Sequence, residues 1–231
     1  MRIQNVTALF HKQVKDVFKN LPVLVLFIVY PVIAIIMTQA MKDQGEIGGI
    51  FVSIFATMHC VFTPMVATSS IITEEKEKNT LRVLIMSNVN LREYLLSIGG
   101  FILIATLLSG SVFLVLIDQP TIASAIKFMI ALAAGCLISI ILGVCIGLFS
   151  KNAAAANGLS VPFGMVFAFL PMLANFNKGI EAVSKFTYSQ QISYLLGGKA
   201  VTTFGIIVMC ANFILLIAIS AVRFKRSISE E

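Results

Sequence analysis

The chain predicts an all-α integral membrane protein of six transmembrane helices, and three observations carry that prediction. Hydrophobic residues make up 58% of the 231 residues and charged residues 12%, with a mean hydropathy of +0.96. So few polar side chains cannot cover an apolar core in water, which leaves the bilayer as the solvent. Six segments are long and apolar enough to cross a hydrocarbon layer of about 30 Å. They are residues 21–41, 48–72, 95–117, 122–149, 153–176 and 201–222. Finally, eight of the 28 formal charges (17 Lys+Arg plus 11 Asp+Glu) fall between Glu74 and Glu93, a charged island between two apolar runs. The chain reads as a single transmembrane domain, 1–231. Within it, 1–20 is an interfacial helix, 21–222 the bundle and 223–231 a tail.

The segment before the first span has its own pattern. Ile3, Val6, Phe10, Val14 and Val17 recur every three or four residues, accompanied by Arg2, Lys12, Lys15 and Lys19. This is an amphipathic basic helix lying in the membrane interface. It serves either as an anchor or as a lever joining motion in water to the first span. The first long apolar run begins near Leu21 with no small-residue cleavage site behind it, so no cleaved leader is expected.

Prolines punctuate the spans. Pro22 sits at a helix start, where it costs little. Pro31, Pro64, Pro162 and Pro171 lie deeper and are expected to bend their helices. Between the third and fourth spans, Asp118-Gln119-Pro120 leaves room only for a tight turn. The fourth span carries Gly135, Ser139, Gly143 and Gly147 at steps of four, a groove for close packing against another span or a second copy. Residues 177–200 are too polar for a span. They read as two short amphipathic helices at the outer membrane surface, the second ended by Gly197-Gly198.

Lysines and arginines set the orientation. With the N-terminus in the cytoplasm, twelve lie inside (Arg2, Lys12, Lys15, Lys19, Lys76, Lys78, Arg82, Arg92, Lys151, Arg223, Lys225, Arg226). Five lie outside: Lys42, Lys127, Lys178, Lys185 and Lys199. Both termini are therefore expected in the cytoplasm of a multi-pass plasma-membrane protein. The net charge of +6 does not point to nucleic acid, because the basic residues cluster at the ends of apolar runs. Cys60, Cys136, Cys145 and Cys210 all lie inside apolar runs without metal-ligand spacing, and read as reduced, buried small hydrophobes.

Catalytic motifs are missing. No GxxxxGKS or GxxxxGKT string is present, and GGKA at Gly197 lacks both the loop spacing and the hydroxyl that holds magnesium. HExxH and GxSxG are absent too. The chain is expected to be non-enzymatic, with no metal and no cofactor of its own. His59 lies in mid-span, where an ionisable residue is a functional candidate by default. It has no acidic partner in any span, so it reads either as a neutral histidine bonded to a neighbouring helix or as a proton relay. Ser53, Thr57, Pro64 and Thr68 share one face of the second span. They line a polar pathway, or simply bond backbone carbonyls four residues back.

The charged island offers the sharpest clue. Thr73 followed by Glu74-Glu75-Lys76-Glu77 is a pattern that caps a helix start, the hydroxyl accepting from free N–H groups and the glutamates meeting the positive end of the dipole. Leu81, Leu84 and Ile85 would give that helix an apolar face. The island is then a docking element for another protein, or a solvated turn.

At these residues the sequence becomes recognisable. EEKEKNTLRVLIMSNVNLREYLLS, starting at Glu74, resembles the permease subunits of ATP-binding-cassette exporters of the second permease type. In that family a glutamate-rich run, a small residue, Thr and Leu open a coupling helix after span two; Asn79 stands where glycine or asparagine is common. FSKNAAAAN at 149–157 is similar to the short loop between spans four and five. PMLANFNKGIEAVSKFTYSQQ at 171–191 is similar to the outer re-entrant helices before span six. The resemblance thus covers nearly the whole chain.

It implies a half-transporter. Two permeases pair, a homodimer being favoured over a heterodimer. Each rests its coupling helix on a separate nucleotide-binding ATPase subunit, present in two copies, and ATP and magnesium are bound there. The coupling residues would be Glu74, Glu75, Lys76, Glu77, Lys78, Asn79, Thr80, Leu81 and Arg82. The candidate pathway comprises Ser53, Thr57, Met58, His59, Pro64 and Thr68 on span two, with Pro162, Phe163, Met165, Phe167 and Phe169 on span five. Hydroxyls, methionine and phenylalanine suit an amphipathic peptide, an antibiotic or a hydrophobic small molecule. The alternative is a non-transporting membrane immunity or assembly protein that binds a partner. A lipid-acting enzyme lacks clustered catalytic groups, and a proton-driven transporter lacks paired carboxylates in its spans.

Overall fold

The computed structural model describes residues 3–41, 47–86, 90–117 and 121–229. The turn expected at 118–120 and the side chains of Arg2, Lys42, Leu81, Arg82, Ile85, Arg223, Lys225 and Arg226 lie outside what it describes. The described residues fold into eleven helices: α1 (Ile3–Lys19), α2 (Leu21–Ala40), α3 (Ile47–Glu77), α4 (Thr80–Met86), α5 (Leu91–Gly110), α6 (Val112–Val115), α7 (Ile122–Phe149), α8 (Ala153–Ala174), α9 (Lys178–Ser184), α10 (Tyr188–Leu196) and α11 (Thr203–Ser229). Six spans are long and apolar enough to cross a membrane. They are α2, α3, α5 with α6, α7, α8 and α11. Helix persists through Pro31, Pro64, Pro162 and Pro171.

Two boundaries differ from the sequence expectation. α3 does not stop at residue 72 but runs to Glu77, because Thr73 is buried and its hydroxyl donates to Ser69 O at 2.8 Å inside the helix. The expected Thr73 cap is therefore corrected: the next helix, α4, starts at Thr80. α3 ends because Asn79 adopts a positive φ of 54°, a conformation that asparagine tolerates better than most residues. At the other end of the chain, the α11 helix runs on to Ser229, through the first residues of the expected tail.

The centre of the bundle is α3 against α7. Of their membrane-length windows 72% and 67% is buried, against 11% for α11. α8, α2, α5 and α10 pack around α3. The small-residue stripe of α7 makes the central contact. A Cβ on Gly143 would lie 2.5 Å from Met65 O and 2.7 Å from Thr68 Cβ, and one on Gly147 would lie 3.0 Å from Ile72 Cβ. One on Gly135 would lie 2.9 Å from Cys60 Sγ. Ser139 donates to Gly135 O at 2.8 Å and meets the Tyr188 hydroxyl at 3.0 Å. The stripe thus faces this chain's own α3 and α10.

The segment before span six also differs. Of the two short helices expected there, α9 is mostly exposed and α10 is mostly buried. α10 packs against α3, α7, α8 and α11, with Tyr188, Gln190 and Ile192 almost fully buried. It closes as the sequence predicts: Lys199 N–H donates to Tyr194 O at 2.9 Å and Gly198 N–H to Leu195 O at 3.1 Å, with Gly198 at φ 79°. That is a left-handed glycine cap satisfying two orphan carbonyls.

Candidate functional site

The charged run at the end of α3 is built from inside the chain outward. Carboxylates at a helix C-terminus face the negative end of the dipole and need cations or N–H donors. Each of the four consecutive charged residues finds its partners on a different element. Glu74 accepts from Asn20 Nδ2 at 2.9 Å, at the joint between α1 and α2, and from Lys78 Nζ at 2.6 Å. That ion pair raises the Lys78 pKa above the usual lysine value. Glu75, buried, accepts from Gln13 Nε2 at 2.9 Å and from Lys12, both on α1. The Lys76 ammonium donates to the carbonyls of Gly147, Leu148 and Ser150 at 2.8, 3.1 and 3.2 Å, at the C-terminal end of α7. Glu77 accepts from Ala153 N–H at 3.0 Å, on the first turn of α8, where Asn152 supplies a second cap to Ala155 N–H at 2.8 Å. A cation thus meets the negative end of α7 and an anion the positive end of α8, as the two dipoles favour.

A second layer ties α1 to α5. The Glu93 carboxylate is buried and accepts from Asn5 Nδ2 at 2.9 Å and from Asn90 N–H at 3.3 Å. Ser97 donates to Val6 O at 3.0 Å, and Phe10 meets Phe101 edge-on at 5.9 Å. Leu9, Gln13 and Val17 form the buried face of α1. Of the expected apolar stripe, Val17 is on that face, Val6, Phe10 and Val14 are half-buried, and the Ile3 side chain lies outside the described residues. Asn5, Gln13, Asn20 and Glu93 were not singled out from the sequence. The signal for Glu93 was present: Asn90-Leu91-Arg92-Glu93 has the asparagine-to-glutamate spacing of a capping box. Gln13 stands four residues from both Leu9 and Val17, so a polar group on the apolar face was the sign that something waits opposite.

The nine candidate coupling residues therefore divide. Glu74, Glu75, Lys76, Glu77 and Lys78 all have partners within the chain. Thr80 donates to Glu75 O at 3.0 Å and starts α4. Glu77, Lys78 and Asn79 are exposed, and so are Val83 (63%) and Met86 (79%) on α4, while Leu84 packs on the core formed by α1 and α5. Among the described side chains, the exposed ones here are a polar turn followed by Val83 and Met86.

The candidate pathway residues fall into two groups that do not meet on one lining. On α3, Thr57, Met58, His59, Pro64 and Thr68 are buried. Thr57 donates to Ser53 O at 2.7 Å, Thr68 to Pro64 O at 2.6 Å, and Ser53 to Ser193 O at 3.4 Å. The expected polar seam is spent on backbone carbonyls in this conformation. His59 Nε2 lies 2.9 Å from Ser109 Oγ and 3.2 Å from Thr106 O, and its Nδ1 lies 3.3 Å from Thr63 Oγ1. Thr63 in turn donates to Leu26 O at 2.9 Å, so this knot joins α2, α3 and α5. On α8, Pro162, Phe163, Met165 and Phe169 are exposed. Phe167 turns inward, 5.6 Å from the Tyr188 ring. Among the cysteines, Cys60, Cys136 and Cys145 are buried, whereas Cys210 is exposed on α11, against expectation.

No curated protein matches the sequence. The family described as ABC-2 family transporter protein matches residues 26–224, nearly all of the bundle. With six spans around a buried α3–α7 pair, and a match over most of its length, the chain belongs to the ABC-2 family of transporter membrane proteins.

Proposed function

We propose that this chain is the permease subunit of an ATP-driven exporter. It works as a pair with a second permease, a second copy of itself, on two separate nucleotide-binding ATPase subunits that hold the ATP and magnesium. It lies in the plasma membrane with both termini in the cytoplasm. The single observation that carries the coupling role is the division of labour at the end of α3. Glu74, Glu75, Lys76 and Glu77 grip the α1–α2 joint, α1, α7 and α8, while Asn79, Val83 and Met86 stay exposed for docking. A push on α4 would reach four elements through one short segment. Energy transfer between a nucleotide engine and a membrane pathway needs such a continuous physical contact. α1 is then a lever as well as an anchor.

The cargo pathway runs along the exposed side of α8, where Phe163, Met165 and Phe169 face outward and a second copy would complete the lining. Adaptable methionine and aromatic surface suits an amphipathic peptide, an antibiotic or a hydrophobic small molecule.

The test is flux of labelled peptides and hydrophobic drugs into inverted membrane vesicles, with the copurifying ATPase assayed alongside. Met86→Asp places a charge in the docking face. It is expected to abolish ATP-dependent flux while the permease remains folded. ATP-dependent flux at normal strength in that variant, or active transport by the purified chain without any ATPase, would sink the reading.

A further inference from the structure

On the opposite side of the bundle from the charged run, where α11 begins, a cleft of about 270 Å³ opens between α10 and α11. Its walls are apolar (Leu195, Val201, Phe204, Met209) and its rim carries Lys185 and Lys199. Both lysines are exposed. Among the described residues neither lies in an ion pair; the pairs present involve only Lys12 and Lys78. Both are nevertheless held in place. Lys199 Nζ sits 4.1 Å from the centre of the Tyr194 ring, and Tyr194 is fixed by donating to Glu181 Oε1 at 2.9 Å. Gln191, itself buried, donates to Lys185 O at 2.6 Å and so fixes the backbone that carries the second ammonium. α11 approaches closely at Gly205, where a Cβ would lie 2.7 Å from Gln191 Oε1 and would push that amide aside. Beyond the cleft, the side of α11 stays apolar and exposed through Ile207 and Ile214.

We propose that this cleft binds an anionic amphiphile. A phosphate or carboxylate sits against Lys185 and Lys199, and the apolar tail leaves along α11. Two cations outside any described ion pair, over an apolar floor at the membrane boundary, match such a headgroup, and the long lysine stems lie on apolar surface while their charges stay at the interface. The cleft is large enough for the headgroup and the first methylenes, and the rest of a chain is accommodated on the helix outside. A membrane phospholipid and a free single-chain amphiphile share this chemistry. The site does not depend on the ATPase reading, because binding is read on the permease alone.

The experiment is native mass spectrometry of the full-length protein released from micelles containing phosphatidylglycerol or phosphatidylcholine. Wild type is expected to retain phosphatidylglycerol in preference to phosphatidylcholine. The double variant Lys185→Gln/Lys199→Gln is expected to lose that preference by roughly tenfold. Lys185→Arg/Lys199→Arg should restore it, and Lys127→Gln, an exposed lysine on α7, should leave it intact. Dodecyl phosphate added in competition separates the two sources. Displacement assigns the site to free amphiphiles as well, and a retained preference without displacement assigns it to diacyl lipid. Equal retention of the two lipids by wild type, or an unchanged preference in the double glutamine variant, overturns the proposal.

Discussion

The side-chain amide of Gln13 donates to Glu75 Oε1 at 2.9 Å, across 62 residues of sequence, and so joins helix α1 to the end of the most buried span. Glu75 is 6% exposed, so its carboxylate has little water to fall back on. Gln13→Leu is expected to cost about 1–3 kcal/mol, the penalty for a buried polar group that loses a partner. Glu75→Gln keeps an acceptor and should be milder. Glu75→Lys should be the most damaging, because it sets a cation against Lys12. The readout is the temperature at which the buried Cys60, Cys136 and Cys145 become dye-reactive in a Cys210→Ser background. If Glu75→Lys were as stable as wild type yet uncoupled from ATP hydrolysis, the carboxylate would belong to the partner interface instead.

Lys76 caps α7 by donating to three carbonyls. Lys76→Met removes those charge-assisted bonds and is expected to lower stability by about 1–3 kcal/mol. Lys76→Glu, which turns an anion toward the negative end of α7, should lower it further. The same thiol-exposure temperature reports both. A Lys76→Glu protein as stable as wild type would show that these contacts do not hold the helix.

At Gly143 a methyl group would meet the Met65 carbonyl at 2.5 Å, and backbone cannot swing aside. Gly143→Ala is expected to separate α3 from α7 at a cost of about 1–3 kcal/mol. Gly100 has nothing within 4 Å of the added carbon. Gly100→Ala should be neutral, or stabilising by up to about 1 kcal/mol through helix propensity. Equal melting temperatures for the two variants would contradict the packing.

His59 is surrounded by Thr63, Thr106 and Ser109, with Tyr30 and Phe113 rings beside it. This is the environment of a structural cross-link. His59→Leu should cost about 1–3 kcal/mol by leaving polar groups unpaired. His59→Asn, which retains hydrogen bonding, should keep transport with an unchanged pH profile. A profile that loses a titrating limb in His59→Asn would make the residue a proton carrier.

Hydrophobicity and charge placement fixed the coarse result. Twenty-residue apolar runs have one stable form in lipid, since every backbone group must be paired within the segment. Six apolar spans, a separate amphipathic helix before the first of them and the glycine cap at Gly198 therefore followed from residue order. So did the stripe on α7, because small residues at steps of four permit close approach whatever they meet. The sequence left open what lay opposite that stripe, and packing answered with α3 and α10. Residue order misread Thr73, because a threonine before glutamates has the same local signature at a helix start as inside a helix that runs on. What differed was burial, which only the neighbouring elements supply. The roles of Glu74 to Glu77 were hidden for the same reason. Their partners, Asn20, Gln13, the end of α7 and the first turn of α8, are between 54 and 76 residues away, and hydrogen bonds at that separation exist only once the spans have packed.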